Sequence, residues 1–322
     1  WSYKYMHVTD LIGQGGRTVF SIEVLPPIKG QSIERLFSTV DALREFNPAY
    51  VNITTHRSEF VYREMPGGMI QRQRIRRRPG TIAIAAAIQS RYGLPVVPHI
   101  VCSGMSREDI EYNLIDLQYL GIHDLLLLRG DKAREDSLFV PTPDGYSHAI
   151  ELQRQVNLFN EGQYIDGSPI PDRHAPFRYG VACYPEKHEE APNMAADLAH
   201  LKAKVDAGAS YAVTQLFFDN AKYFDFVERA RAMGVTVPII PGIKPFAKLS
   251  QLQMVPKTFH CDIPEPLYAE LARCKTNGDV EAVGTEWAVQ QCRELMAHGV
   301  PSLHFYTLSA VNCIREIARQ IF

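Results

Sequence analysis

Eight short runs of apolar residues, most of them rich in branched side chains, recur along this chain, with longer amphipathic stretches between them. The runs fall at residues 18–24, 50–54, 96–101, 124–129, 178–184, 211–217, 237–243 and 302–307, and the clearest helical patterns at 32–46, 106–120, 193–207, 220–233 and 279–297. A short apolar run reads as a strand buried on both faces, and strand–helix alternation implies parallel strands joined by right-handed crossovers. Eight such units without a break predict a single (β/α)8 barrel over residues 1–322. An open doubly wound sheet is the competing architecture. Its dinucleotide fingerprint would follow the first strand, whereas the only Gly-rich stretch, Gly13-Gln14-Gly15-Gly16, precedes it.

Composition narrows the class. At 46% apolar residues the chain can fill a large core, and a net charge of −2 gives no global pull toward nucleic acid or anionic membrane. No apolar stretch is long enough to span a bilayer, and residues 1–11 lack the charged head and apolar run of a signal peptide. The six cysteines form no C-x-x-C pair, so neither a metal site nor a redox pair is expected, and a reducing cytoplasm fits. Two segments interrupt the rhythm. Arg72, Arg74, Arg76, Arg77 and Arg78 crowd the connection after the second strand and read as a solvated face, with phosphate binding the alternative. Residues 161–176, rich in Pro, Gly and Asp, read as an irregular loop.

Barrels of this kind place their chemistry at the C-terminal ends of the strands. Those ends carry Glu23; Thr54-Thr55; His99; Arg129-Gly130-Asp131; Tyr184-Pro185-Glu186-Lys187-His188; Gln215; Lys244; and His304, Tyr306 and Thr307. One polar strand end is commonplace, but polar groups at all eight converge on one pocket.

The same residues carry a resemblance. Ile22-Glu23 with Pro26-Pro27, Pro98-His99, Leu128-Arg129-Gly130-Asp131, Tyr184-Pro185-Glu186 with His188, Lys204 with Asp206 and Gly208, Thr214-Gln215 with Phe217-Phe218-Asp219, Pro241-Gly242, and His304-Phe305-Tyr306-Thr307-Leu308 stand in the order of the methylenetetrahydrofolate reductase motifs. The chain resembles that family from about Phe20 to Leu308. The resemblance implies an FAD-bound barrel that takes hydride from NADH or NADPH and passes it to methylenetetrahydrofolate, working as a homo-oligomer in one-carbon metabolism. It implies Glu23 as the general acid, with burial expected to raise its pKa, and Asp131 as the carboxylate beside flavin and pterin. Gln215 would contact nicotinamide and folate in turn, and Gln251 would be a further folate contact. FAD would meet Thr54, His99, Arg129, Gly130, Asp131, Ser147, Tyr184, His188, Asp197 and Lys204; the last two, seven apart, share a helix face. Plainer readings stand beside these: an ion-paired strand-end carboxylate for Glu23, a surface turn for Arg129-Gly130-Asp131, a structural hydrogen bond for Gln215, a core imidazole for His99.

Ser309-Ala310 stands where the family often has an arginine, and His200 and Ala203 replace a usual polar and basic pair. The chain ends soon after the eighth strand, which reads as a bacterial-type catalytic subunit without a regulatory domain. A proline dehydrogenase-like flavin barrel, a flavin-free pterin-binding methyltransferase barrel and a catalytically dead binding protein are the rival readings.

Overall fold

A computed structural model describes residues 6–13, 16–132, 138–172 and 174–322. Its strands are β1 (Val19–Val24), β2 (Val51–Ile53), β3 (Glu59–Met65), β4 (Met69–Ile75), β5 (Val96–Val101), β6 (Asp124–Leu128), β7 (Arg178–Cys183), β8 (Tyr211–Thr214), β9 (Ile239–Ile240), β10 (Gly242–Ile243) and β11 (Ser302–Tyr306). Its helices are α1 (Val8–Leu11), α2 (Glu34–Leu43), α3 (Thr81–Tyr92), α4 (Arg107–Tyr119), α5 (Ala149–Asn160), α6 (Met194–Asp206), α7 (Asn220–Ala232), α8 (Gln251–Phe259), α9 (Glu265–Leu271), α10 (Asn277–Ala297) and α11 (Val311–Ile321).

One sheet runs β10-β11-β1-β2-β5-β6-β7-β8-β9, every neighbour parallel. β9 and β10 are halves of one strand broken at Pro241, which has no N–H for a ladder. The Pro241 carbonyl still accepts the His304 N–H at 3.1 Å, so the ring closes at eight strand positions. The expected (β/α)8 barrel is therefore the observed one.

Alternation along each strand decides what goes where. Phe20, Ile22, Val24, Val51, Ile53, Ile100, Leu125, Leu127 and Val181 point outward and meet the helices in the main core. Tyr50, Val97, Leu126, Tyr211, Val213 and Ile240 form a second cluster with Val8 and Ile12, which α1 brings to the barrel floor. Asp124, at the start of β6, fixes that plug by accepting the Val8 N–H at 3.3 Å and lying 3.1 Å from His7 Nδ1. The helices begin where the sequence offers caps: Ser106 and Asp109 at α4, Asn193 at α6, Thr276 and Asp279 at α10. Each such cap is worth about 1 kcal/mol.

The connection after β2 differs from expectation. Residues 59–75 form an antiparallel hairpin, β3–β4, turned at Pro66-Gly67-Gly68 where both glycines have positive φ. The basic run, read as one solvated face, is divided by it. Arg72 and Arg76 are exposed, whereas Arg78 turns back, half-buried, and donates to the Pro26 carbonyl after β1. Residues 161–176 are irregular as expected, stitched by an isolated bridge between Gln163 and Pro169; Arg173 within that stretch lies outside the described residues.

Candidate active site

The barrel interior is polar on one side. Ser21 and Glu23 from β1, Asn52 from β2, His99 from β5, and Ser302, His304 and Tyr306 from β11 occupy neighbouring strands. Ser21 Oγ lies 2.9 Å from His304 Nδ1 and 3.2 Å from Ser302 Oγ. Asn52 Nδ2 lies 3.2 Å from His99 Nε2. Both imidazoles face Glu23: His99 Nε2 is 3.6 Å and His304 Nε2 3.9 Å from its Oε2. His304 Nε2 is fully buried and makes no hydrogen bond to a described residue, which leaves it turned toward the carboxyl or whatever binds beside it.

The electrostatics correct one expectation. Burial alone would push the Glu23 carboxyl up, but His304, His99 and Lys244 outweigh it and hold the group below its ordinary value. Burial pushes the His99 imidazolium down to about 4, so that ring is neutral near neutral pH. Glu23 is thus a half-buried carboxylate until something removes water or positive charge from around it.

The next arc of the mouth is built by β6 and β7. Gly130 has φ +83°, and a Cβ there would lie 2.8 Å from Ser103 Cβ, so only glycine lets the end of β6 close on the end of β5. Ser103 seals the contact: its N–H donates to the Arg129 carbonyl at 2.9 Å and its hydroxyl to the Asp131 carbonyl at 2.7 Å. The Asp131 side chain is left exposed at the rim without a hydrogen bond to a described residue. Arg129 is held by Glu190 through two hydrogen bonds, 2.5 and 2.9 Å, and covers the Phe139 ring. Tyr184 meets His188 edge-on, with centroids 4.8 Å apart. The loop between them bends at Lys187, whose φ is +76° and whose ammonium ties together the carbonyls of His188, Glu189 and Ala191. A strained residue over-determined by its surroundings is typical of a ligand-binding loop.

Other expected positions are engaged by the protein itself. Asp197 Oδ2 accepts the His188 N–H at 2.9 Å, and Lys204 Nζ donates to the Ala182 carbonyl at 2.6 Å. They do share one face of α6, and it is the face turned to β7. Gln251 is buried and caps the chain before α8, its Oε1 accepting from Ala247 and Lys248. Thr54 Oγ1 lies 3.4 Å from His56 Nε2. Ser147 is half-buried, its N–H donated to Glu151. Gln215 follows β8, its N–H bonded to the Cys183 carbonyl and its Oε1 to the Leu216 N–H, with no hydrogen bond from its NH2 group to a described residue. The roles of His304, Asn52, Lys187 and Arg78 were not assigned from sequence. The i, i+2 spacing of Ser302, His304 and Tyr306 was the available signal for the polar interior; nothing local marks Arg78 as the arginine that turns inward.

A closed parallel barrel with ionisable side chains gathered at the C-terminal ends of its strands has the architecture of a barrel enzyme. Residues 8–321 match the family model described as methylenetetrahydrofolate reductase, and the chain belongs to that family. It is 32% identical over 317 residues to methylenetetrahydrofolate reductase (NADH) 1 of Arabidopsis thaliana, covering 94% of this chain and 49% of that protein. It is 31% identical over 296 residues to 5,10-methylenetetrahydrofolate reductase of Pectobacterium carotovorum subsp. carotovorum, covering 91% and 87%. The chain spans about half the length of the plant and nematode relatives it matches. Among solved structures, an uncharacterized protein from Clostridium thermocellum that binds two copies of 5-methyl-5,6,7,8-tetrahydrofolic acid shares the fold. Its TM-score is 0.56 at 12% identity, over 94% of this chain and 96% of that one.

Proposed function

We propose that this chain reduces 5,10-methylenetetrahydrofolate to 5-methyltetrahydrofolate, with FAD as resident cofactor and NADH or NADPH as hydride donor, the two substrates using one site in turn. The observation that carries the reading is Glu23: a half-buried carboxyl on β1 with His99 and His304 against it, in a barrel of this family.

The substrate is a cyclic aminal, a poor hydride acceptor. Protonating one nitrogen opens the ring to an iminium cation that accepts hydride readily. Glu23 would supply that proton. Burial opposes the effect of its neighbours, and a ligand that expels the water still reaching its side chain, 19% exposed, would shift the balance toward the acid form. The exposed Asp131 carboxylate at the rim suits the positive charge that then develops and the donors of a pterin edge. Gln215 offers its NH2 group to either ligand.

The ends of β2, β5, β6 and β7 fit an extended flat heterocycle. Thr54, Arg129 and Tyr184 give donors and acceptors along one arc, and the close approach at Gly130 lets backbone near a ligand without a side chain between. When bound there, FAD would store the two electrons between donor and acceptor. Thr54, His99, Arg129, Gly130, Asp131, Ser147, Tyr184 and His188 would hold it, with Asp197 fixing the His188 backbone. Lys204, bonded to the Ala182 carbonyl, would act from beneath β7. Relatives are named for NADH in Arabidopsis thaliana and NADPH in Caenorhabditis elegans, and this chain would take one of the two. Six free cysteines, five of them buried, suit the cytoplasm. The working form would be one catalytic barrel per chain in a homo-oligomer.

The test is a visible spectrum, chromatography of the chromophore released by denaturation, and an anaerobic assay. A yellow protein that releases FAD and is reoxidised by methylenetetrahydrofolate is the expected result. A colourless protein that takes up no FAD, or one whose reduced flavin ignores folate, would overturn the reading.

A further inference from the structure

Lys244 follows β10 at the barrel mouth and is only 9% exposed. Its ammonium donates to the Leu308 carbonyl at 2.6 Å, and among the described residues it has no other hydrogen bond and no ion-pair partner. A buried cation without a counter-ion is expensive, so the nearest carboxylate matters. Register supplies it. Gly242 pairs with His304 and Ile243 with Phe305, which puts Lys244 level with Tyr306; Tyr306 pairs with Glu23. By alternation Gly242 and Lys244 share the inner face, as Glu23 and Tyr306 do.

We propose that Lys244 is a positioning residue for Glu23: a single buried ammonium that faces the carboxylate across Tyr306 and favours its ionised form. Lys244 shares that effect with the rings around Glu23, His304 first among them. From β11 Glu23 is faced by His304 and by Tyr306, whose hydroxyl donates to the Thr214 carbonyl and is kept neutral by burial. From β5 it is faced by His99, neutral above about 4, and from the segment after β2 by His56, which burial also disfavours as a cation. Lys244 is itself faced by Glu23 and by Cys313 of α11, and burial brings its pKa down to about 8.

The consequence is a division of protonation states. With Lys244 charged, Glu23 stays anionic while the site is wet, and an anion suits the positive nicotinamide ring that forms as hydride leaves the donor. The acid form is then reserved for the ligand that expels water. The inference rests on reading Glu23 as the acid, and it has a readout independent of turnover.

That readout is the titration of the Glu23 carboxyl, taken by 13C NMR as the difference between the protein and its Glu23→Gln variant. Lys244→Met should move the midpoint up by roughly one pH unit, a tenfold change in proton affinity, and Lys244→Arg should leave it in place. The alkaline limb of reoxidation by folate should move with it in Lys244→Met alone. The reciprocal measurement needs no lysine variant: in Glu23→Gln the Lys244 amine should titrate about tenfold more readily toward its neutral form than in the parent protein. An unmoved Glu23 midpoint in Lys244→Met, or equal Lys244 midpoints with and without Glu23, would overturn the proposal whatever the enzyme's activity. A shifted midpoint in a protein that ignores folate would instead leave the coupling standing and remove the functional reading.

Discussion

Thr307 holds the backbone of Glu23 from the neighbouring strand: its N–H and its hydroxyl both donate to the Glu23 carbonyl, at 3.3 and 2.7 Å. The residue that ends the eighth strand position thereby sets the height of the carboxyl on the first. Thr307→Val keeps the shape and loses the shorter bond. Because Thr307 is buried, denaturant unfolding should show a loss of about 1 kcal/mol. A displaced carboxyl should slow reoxidation by folate by up to about 10²-fold, with bleaching by nicotinamide unchanged. Equal losses in both would assign Thr307 to the fold alone.

Glu23→Gln keeps size and hydrogen-bonding capacity but removes the ionisable carboxyl that the proposed reading makes the acid. The variant should hold FAD and be bleached by reduced nicotinamide at the normal rate. Its reoxidation by methylenetetrahydrofolate should fall by at least about 10²–10⁴-fold, the usual worth of general acid catalysis. Stopped-flow absorbance separates the two half-reactions. Reoxidation at the parent rate would move the role to another carboxylate at the mouth, with Asp131 and Glu186 examined first.

On the proposed reading, in which one amide serves both ligands, Gln215→Ala should impair both half-reactions. The Leu216 N–H that now binds Gln215 Oε1 would turn to water, so stability should change by well under 1.5 kcal/mol. Normal rates in both directions would return Gln215 to a structural role.

His99 makes stability pH-dependent. Its pKa is about 4 in the folded protein against 6.5 in the unfolded chain, so between those values the unfolded state binds the extra proton. Its contribution is fully present above pH 6.5 and is lost as pH falls toward 4, up to about 3 kcal/mol. His56, His123 and His188, all with lowered pKa values, act in the same direction. In urea titrations across that window His99→Asn should lose less stability than the parent. Parallel curves would rule out His99 as the source.

The barrel was legible because eight buried strands leave eight apolar runs and parallel pairing demands helices between them. Boundaries were less so. The run at 211–217 stops as a strand at Thr214, and Pro241 splits the seventh, because ladder bonding rather than hydropathy ends a strand. The β3–β4 hairpin was missed since its exposed Tyr62, Met69 and Ile70 alternate with no buried side chain among those described. Strand-end positions told which side chains reach the mouth. They could not tell which ones spend their hydrogen bonds on the protein, as Gln251 and Lys204 do, because those partners are backbone atoms of loops whose path no pattern fixes. Nor could burial alone give the sign of the Glu23 shift, which depends on His304, His99 and Lys244 brought in from other parts of the barrel.

The pairing of β1 with β11, Val19 with Ser302 through Glu23 with Tyr306, joins segments nearly a whole chain apart. Such a contact is slow to form, since the loop must close before the ladder gains anything. During synthesis from the ribosome, β1 waits with an unpaired edge until residues 302–307 emerge, and that edge is open to other chains in the interval. Glu23 gains its neighbours His304 and Thr307 only at that moment. Maturation of the chemistry and protection from aggregation are therefore one event, timed by the arrival of the last barrel strand.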